Sequence, residues 1–146
     1  MEPGSLTKRL QSNCEQFSVE LLCNQWREST ELNGEEQSLL YFPGQYLLRE
    51  VLLHGDETPW VIGHSLIPQI TALDQQGRLA NLGTTPLGES VFQSQTVERD
   101  HLQVAIVEIE QVNLYARRSR LWMNHNPMLV TELFLPLAPI YRQESL

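Results

Sequence analysis

The sequence predicts an α+β domain built around a six-stranded antiparallel sheet, and three features of its pattern indicate this class. Six segments have the apolar content and alternation of β-strands, several connections between them are short, and the remaining segments have room only for short helices. A length of 146 residues fits a single domain over residues 1–146, large enough for a hydrophobic core. The pattern leaves the order of the strands open.

Three strands are predicted in the first half of the chain. Apolar and polar side chains alternate over residues 17–27, which is typical of a strand with one buried face. Residues 45–54 and 60–67 form the next two strands. A hairpin with a longer loop over residues 55–59 joins them, and Pro68 ends the second.

Three more strands are predicted in the second half, over residues 102–111, 115–123 and 128–135. The turn residues at 124–127 indicate that the last two form a hairpin. Hairpin connections favour antiparallel pairing, which is why the sheet is predicted to be antiparallel.

Short helices are predicted between the strands. The first covers residues 5–11 with Ser5 as its N-cap, and the connection over residues 28–44 has room for one turn of helix. Two further helices are predicted over residues 72–82 and 86–93.

Charge and composition exclude several classes of function. The formal net charge is −8, and such an acidic surface repels nucleic-acid phosphates and anionic lipids, so neither is an expected partner. An anionic ligand would therefore need local positive charge at its site. No segment has the length of a membrane span, and the N-terminus lacks a secretory signal, which favours the cytoplasm. The two cysteines, Cys14 and Cys23, form no metal-binding or disulfide pattern.

Arg49 is the first candidate for chemistry. On its predicted strand it shares a face with Leu47, Val51 and Leu53, although the other face is also largely apolar, so its direction stays open. If Arg49 points inward, burial of its charge costs several kcal/mol unless an anion meets it.

Glu132 poses the same problem with the opposite sign. Both faces of its predicted strand are apolar, so its carboxylate has little access to water and needs a positively charged partner or a proton. A purely structural alternative is that Arg49 and Glu132 pair with each other, or with Glu50 and Arg118, as buried ion pairs.

Two predicted helix starts could bind an anion through backbone groups. Thr85 can cap a helix that begins at Pro86, which leaves the Leu87 N–H free in the first turn. The first helix offers the Leu6 N–H in the same way. The alternative for both sites is a capped helix start that binds no ligand.

Other polar features predict less chemistry. The basic cluster over residues 117–120 is most simply a solvated strand face. The histidines lack the spacing of metal ligands, and no nucleotide-binding or nucleophile motif is present.

Several stretches, in order along the chain, resemble the chorismate pyruvate-lyase family. They are residues 5–10 (SLTKRL), 46–50 (YLLRE), 59–60 (PW), 82–88 (LGTTPLG), 117–120 (RRSR) and 129–136 (LVTELFLP). The similarity extends from Ser5 to Tyr141, and this set of motifs in order is far more specific than any one of them.

The resemblance implies a six-stranded antiparallel sheet with an internal ligand pocket enclosed beneath helical flaps. It implies that Arg49 is the buried arginine that binds the ligand and that Glu132 is the carboxylate lining the same pocket, both as catalytic residues. Leu6 and Leu87 match flap positions that contact the ligand. At position 64 some members carry arginine, so His64 removes a permanent positive charge.

The resemblance also implies the function: a lyase that converts chorismate to 4-hydroxybenzoate and pyruvate, for ubiquinone or plastoquinone biosynthesis, without cofactor or metal. The expected partners are substrate and product alone, and the expected state is a monomer. The alternative is an effector-sensing domain of related fold, which binds a small aromatic acid without turnover.

Overall fold

The structure, a computed structural model, describes residues 3–40, 43–87 and 97–145. Its strands are β1 (Phe17–Glu28), β2 (Gln45–Gly55), β3 (Thr58–Pro68), β4 (Val97–Ile109), β5 (Val112–Met123) and β6 (Asn126–Phe134). They form one six-stranded sheet in the order β1-β2-β3-β6-β5-β4, and every neighbouring pair is antiparallel. The predicted α+β class and antiparallel sheet are confirmed.

The helices are short and lie between or beside the strands. They are α1 (Pro3–Ser12), α2 (Gly34–Leu40), α3 (Gln69–Ala72) and α4 (Asp74–Gly77), with 3-10 helices at Ser29–Glu31 and Pro139–Ser145. Among the described residues, no helix has the length and apolar character needed to cross a membrane.

The β2–β3 hairpin has a tighter turn than predicted. Gly55 still pairs with Thr58, so only Asp56 and Glu57 form the turn, with φ values of 50° and 68°. The expectation of a longer loop over residues 55–59 was wrong. Two left-handed residues match the right-handed twist of the flanking strands, which lets the ladder continue to the turn. The other two hairpins have the same positive-φ turns, at Glu110-Gln111 and Asn124-His125.

Strand β4 begins at Val97 rather than at residue 102. Its pairing with β5 shifts between Asp100 and Gln103, and His101 has a φ of 50°. Such an irregularity interrupts the alternation of side chains, and this interruption concealed the first residues of the strand.

The predicted helices needed more correction than the strands. Helix α1 begins at Pro3, where a proline suits the first turn, so Ser5 lies inside the helix and is not its N-cap. The helix predicted over residues 72–82 is instead the two short helices α3 and α4. Gly77, with a φ of 76°, ends α4. The helix predicted over residues 86–93 lies largely outside the described residues.

The two faces of the sheet have different coverings. On one face α2 packs through an apolar cluster: Leu32, Leu40, Tyr46, Leu66 and Leu129. On the other face a cluster of Leu47, Ile67, Leu121, Met123 and Met128 packs against residues near α3 and α4. At the opposite end of that second face, α1 packs with Leu6 and Leu10 against Val61 and Phe134.

A cavity lies on this second face, between its two apolar clusters. The strand residues that line it, Arg49, Val51, Gly63, Ser65 and Val130 among them, alternate with those beneath α2. The fold therefore encloses a site between α1, the segment over residues 82–87 and the middle of the sheet.

Candidate functional site

The structure brings the four predicted site residues together. Leu6 from α1, Arg49 from β2, Glu132 from β6 and Leu87 all line the same cavity. The direction of Arg49, which the sequence left open, is inward, with Leu47, Val51 and Leu53 on its face.

Arg49 is buried, with 2% of its surface exposed. Its Nη2 donates hydrogen bonds to the carbonyl oxygens of Gly83, at 3.1 Å, and Thr85, at 2.9 Å. Its Nε is enclosed and has no hydrogen-bond partner within the described residues. Burial lowers the pKa of the guanidinium below its ordinary value, because loss of water disfavours the charged form. The two carbonyl partners are neutral, so they leave a positive charge and a free donor for an anion.

The hydrogen bonds of Arg49 also position the segment over residues 82–87. Both acceptors lie in this segment, which leads to Leu87 at the cavity wall. The Leu87 side chain is half-buried there, while residues 88–96, which follow it, lie outside the described part of the chain. Leu6 lies in the first half of α1, which begins at Pro3, and its buried side chain lines the same cavity.

Glu132 is held by an arginine from the adjacent strand. The Nε of Arg117 donates to Glu132 Oε1 at 2.5 Å, and Arg117 Nη2 lies 3.4 Å from Oε2. Both side chains are largely buried, at 9% and 15% exposed. A buried carboxylate that meets a guanidinium in this way keeps its negative charge and a defined orientation.

The ion-pair alternative is wrong in its partners. Arg49 bonds to carbonyl groups, Glu132 pairs with Arg117, and on the α2 side Arg118 pairs with Glu35. Glu50 pairs with His64, with Glu50 Oε2 3.0 Å from His64 Nδ1. His64 lies between two cavity-lining residues of β3 and therefore points to the opposite face, away from the cavity.

The basic cluster over residues 117–120 is not the solvated face that the sequence predicted. Arg117 is 9% exposed and Arg120 only 8%. Arg120 contacts Asp100 of β4, with Nη2 2.7 Å from Oδ2, and donates to the Leu39 carbonyl. Each of these arginines meets an acceptor on another element, and the alternation within one strand contains no signal for such a partner.

Among the strand residues that line the cavity, three with polar side chains were missed from the sequence: Ser65, Arg99 and Ser119. Both serines are buried, and each is a cross-strand neighbour of Val130. Ser65 is also the cross-strand partner of Arg49, so the four residues form one row across the sheet. Arg99 lies in the part of β4 that the irregularity concealed. Had the start of β4 been predicted correctly, an arginine within the strand would have indicated a candidate site residue.

Gly63 shapes the floor of the cavity beside Glu132. The two residues are paired in register across β3 and β6, and Val51 is the partner of Gly63 on the other side. A Cβ at position 63 would lie 3.1 Å from Val51 Cγ2. The missing side chain leaves room for a ligand between Val51 and the carboxylate.

The cavity is thus a small site that contains a buried guanidinium and an oriented carboxylate, and its other strand residues are apolar side chains, Gly63, Arg99 and two serines. A family model described as chorismate lyase matches residues 1–146, the whole chain. The chain belongs to the chorismate lyase family.

Relatives within the chorismate lyase family cover nearly all of the chain. A protein of Vibrio vulnificus named "Probable chorismate pyruvate-lyase" is 54% identical over 145 residues, which are 99% of this chain and 80% of the relative. The "Chorismate pyruvate-lyase" of Pectobacterium atrosepticum is 39% identical over 141 residues, covering 97% of this chain and 77% of the relative.

Two solved structures illustrate proteins that share this fold. The effector domain of PhnF from Mycobacterium smegmatis matches with a TM-score of 0.64 at 10% identity, covering 93% of this chain and 91% of that one. The C-terminal domain of a histidine utilization repressor from Pseudomonas syringae pv. tomato gives 0.61 at 13% identity, covering 84% and 92%. At such low identity these similarities establish the shared fold of the chorismate lyase family and the effector domains, and no shared function.

Proposed function

We propose that this protein converts chorismate to 4-hydroxybenzoate and pyruvate, with Arg49, Glu132, Leu6 and Leu87 forming its substrate site. The observation that carries the proposal is the buried Arg49, whose Nε has no partner in the described residues and whose other hydrogen bonds end on neutral carbonyls. A desolvated positive charge of this kind favours a carboxylate ligand strongly. The names of the relatives indicate that the ligand with this carboxylate is chorismate.

The spacing of the two charged residues suits a para-substituted ring. Arg49 and Glu132 are two strands and two residues apart in the sheet register. With about 4.8 Å between strands and about 3.3 Å per residue, their Cα atoms are roughly 12 Å apart. Side chains on one face of a sheet stand roughly perpendicular to it, so the two head groups keep about this separation, and a 4-hydroxybenzoate with a hydrogen bond of about 2.8 Å at each end spans a similar distance. The ring carboxylate would therefore meet Arg49 and the C4 hydroxyl would meet Glu132.

Glu132 acts as an acceptor in this proposal. Its pairing with Arg117 supports an ionised carboxylate, and an ionised carboxylate can accept a hydrogen bond from the C4 hydroxyl of the substrate. With the ring carboxylate bound by Arg49, this second contact fixes the orientation of the ring in the cavity. Leu6 and Leu87 close the cavity over the ring with apolar surface, which excludes water and strengthens both polar contacts.

The reaction breaks the bond between C3 and the ether oxygen and removes the hydrogen from C4. The electron pair of the C4–H bond forms the new ring double bond, and the ether oxygen becomes the keto oxygen of pyruvate. The hydrogen ends on the former methylene carbon, either directly in a cyclic step or through a base. Aromatisation of the ring supplies the driving force. The main contribution of the protein is to hold the substrate in one reactive conformation. It also stabilises the charge that develops in the transition state.

We further propose that the protein works as a monomer in the cytoplasm and that its product enters quinone biosynthesis. The acidic composition supports the first part, since a net charge of −8 favours a dispersed state in solution. The chemistry of the product supports the second, since further hydroxylation and oxidation of a hydroxylated aromatic ring give a quinone.

One experiment tests the proposed activity. The purified protein is incubated with chorismate, 4-hydroxybenzoate is quantified by chromatography, and pyruvate is measured by a coupled lactate dehydrogenase assay. We expect both products in equal amounts, and we expect Arg49→Ala to abolish most of the rate. Binding of 4-hydroxybenzoate with no turnover of chorismate would instead indicate the effector-sensing function.

A further inference from the structure

We infer that Ser65 and Ser119 form a pair of hydroxyl donors that holds the second carboxylate of the substrate, the one that departs with pyruvate. The inference rests on the proposed function, because that function supplies a substrate with two carboxylates. Both serines line the cavity and are buried, with 4% and 2% of their surfaces exposed. Within the described part of the chain, no side-chain hydrogen bond uses either hydroxyl. A buried donor without a partner costs free energy, so a ligand with an acceptor is favoured there.

The two serines lie on either side of Val130 in one row of the sheet. Ser65 of β3 and Ser119 of β5 are both cross-strand partners of Val130 on β6. Arg49 lies at the β2 end of the same row. Glu132 is two residues along β6 from Val130, so each serine is a diagonal neighbour of Glu132, at about 7–8 Å between Cα atoms. Both hydroxyls therefore lie within reach of a substituent beside the C4 hydroxyl.

The C3 substituent of chorismate, which carries the second carboxylate, can project to either flank of the ring. In the proposed pose the ring lies over β3, between the row of Arg49 and the row of Glu132. One flank lies over Gly63, beside the apolar side chain of Val51. The other flank lies over Val130, between the two serine hydroxyls. A carboxylate on C3 finds hydrogen-bond donors on this second flank, whereas the first offers it apolar surface.

The spacing of the two hydroxyls fits one carboxylate. Two strand spacings of about 4.8 Å put the Cα atoms of Ser65 and Ser119 roughly 9.6 Å apart. A carboxylate with a hydrogen bond of about 2.7 Å to each oxygen spans roughly 8 Å between its two donors. A small lean of each serine side chain toward Val130 makes up the difference. The enolpyruvyl carboxylate would therefore lie above Val130 and accept one hydrogen bond from each side.

This arrangement separates the recognition of substrate from that of product. In the proposed pose Arg49 and Glu132 contact groups that chorismate and 4-hydroxybenzoate share. The serines contact a carboxylate that chorismate carries and 4-hydroxybenzoate lacks. Because both donors are neutral, they hold the released pyruvate less firmly than a bidentate guanidinium would. Ser65 and Ser119 are thus specificity-determining residues that favour the substrate over the product.

The test compares two stable ligands that differ by one carboxylate. 3-(Carboxymethoxy)-4-hydroxybenzoate carries a carboxylate on an ether at C3, and 4-hydroxy-3-methoxybenzoate carries an ether there without it. Both are titrated by calorimetry into the wild type, Ser65→Ala and Ser119→Ala. We expect each variant to raise the Kd of the dicarboxylate ~10-fold and that of the methoxy compound by less than ~2-fold, since one hydrogen bond to a charged group is lost. Arg49→Gln should weaken both ligands.

Further variants control the comparison. Thr71→Val removes another buried hydroxyl, which donates to the Pro127 carbonyl at 2.7 Å and lies outside the cavity. It should lower the melting temperature and leave the ratio of the two Kd values unchanged. Ser65→Cys and Ser119→Cys nearly keep the size of the side chain but have a weak donor, so they should behave like the alanine variants. If an alanine variant does not fold, as judged by circular dichroism, the cysteine variant at that position decides.

Three results would overturn the assignment. They are an unchanged ratio of the two Kd values in either serine variant, equal weakening of both ligands, and a wild type that binds the dicarboxylate no more tightly than the methoxy compound. These titrations need no turnover. A protein that fails to convert chorismate therefore contradicts the proposed function, while the ratio of the two Kd values still reports on the serines.

Discussion

Arg117 of β5 and Glu132 of β6 are cross-strand partners in register, and the arginine holds the carboxylate that faces the cavity through a 2.5 Å contact. This relationship makes Arg117 a positioning residue. It fixes one Glu132 orientation before any ligand arrives, which is the condition for an oriented hydrogen bond to a substrate hydroxyl.

Arg117→Met should destabilise the fold, because it leaves the Glu132 carboxylate buried without a positive partner. Loss of one member of a buried pair costs about 3–5 kcal/mol. The double variant Arg117→Met/Glu132→Gln should recover a large part of this loss, since no charge is then stranded. Urea unfolding of both single variants and of the double variant gives the coupling energy. Strictly additive effects would contradict the role of Arg117 as the charge partner of Glu132.

Arg49→Ala should lower kcat/KM for chorismate by about 3–5 kcal/mol of transition-state stabilisation, because a desolvated carboxylate loses its guanidinium. It should also weaken 4-hydroxybenzoate in calorimetry. Arg118→Ala, on the α2 face, is the matched control and should leave kcat/KM unchanged. An Arg49→Ala enzyme with wild-type kcat/KM would remove Arg49 from the mechanism.

Gly63→Ala and Gly63→Val should reduce ligand affinity in that order. A Cβ at this position lies 3.1 Å from Val51 Cγ2 and occupies the floor beside Glu132. We expect the Kd of 4-hydroxybenzoate to rise ~10-fold for Gly63→Ala and further for Gly63→Val, since the larger group displaces the ring. Thermal melting of each variant shows whether the change is confined to the site. Tighter binding by Gly63→Val would show that the ring lies elsewhere.

The pH dependence of stability should contain a contribution from Asp100. Hydrogen bonding to Arg120, above all, lowers the pKa of the Asp100 carboxyl below its ordinary value. The folded-state pKa is thus below the unfolded value of about 3.9. The stabilisation is therefore complete above pH ~4 and disappears as pH falls through the folded-state value.

Asp100→Asn tests this contribution. The carboxylate is 42% exposed, so solvent screening limits the loss to about 0.5–1 kcal/mol at neutral pH. Melting temperatures of the wild type and the variant, measured between pH 7 and pH 2, should converge as the pH falls. A difference that stays constant down to pH 2 would contradict an ionic origin.

The strands were accessible from the sequence because alternation is a local property, whereas the direction of Arg49 was not, since both faces of its strand are largely apolar. Apolar residues two apart identify the face of a strand, and this is why Arg49 among Leu47, Val51 and Leu53 was found to be a candidate. The helix boundaries were less accessible, since an N-cap residue such as Ser5 is also tolerated inside a helix.

What the sequence by itself determined is therefore the class of the fold, the six strands and the presence of two charged residues, Arg49 and Glu132, on largely apolar strands. The tertiary structure alone decided which charges meet. β6 lies between β3 and β5, which puts Glu132 beside Arg117, and the segment over residues 82–87 packs where its Gly83 and Thr85 carbonyls meet Arg49. The physical reason is that cross-strand partners depend on strand order and register, which are set by packing across the whole sheet and leave no trace in local periodicity.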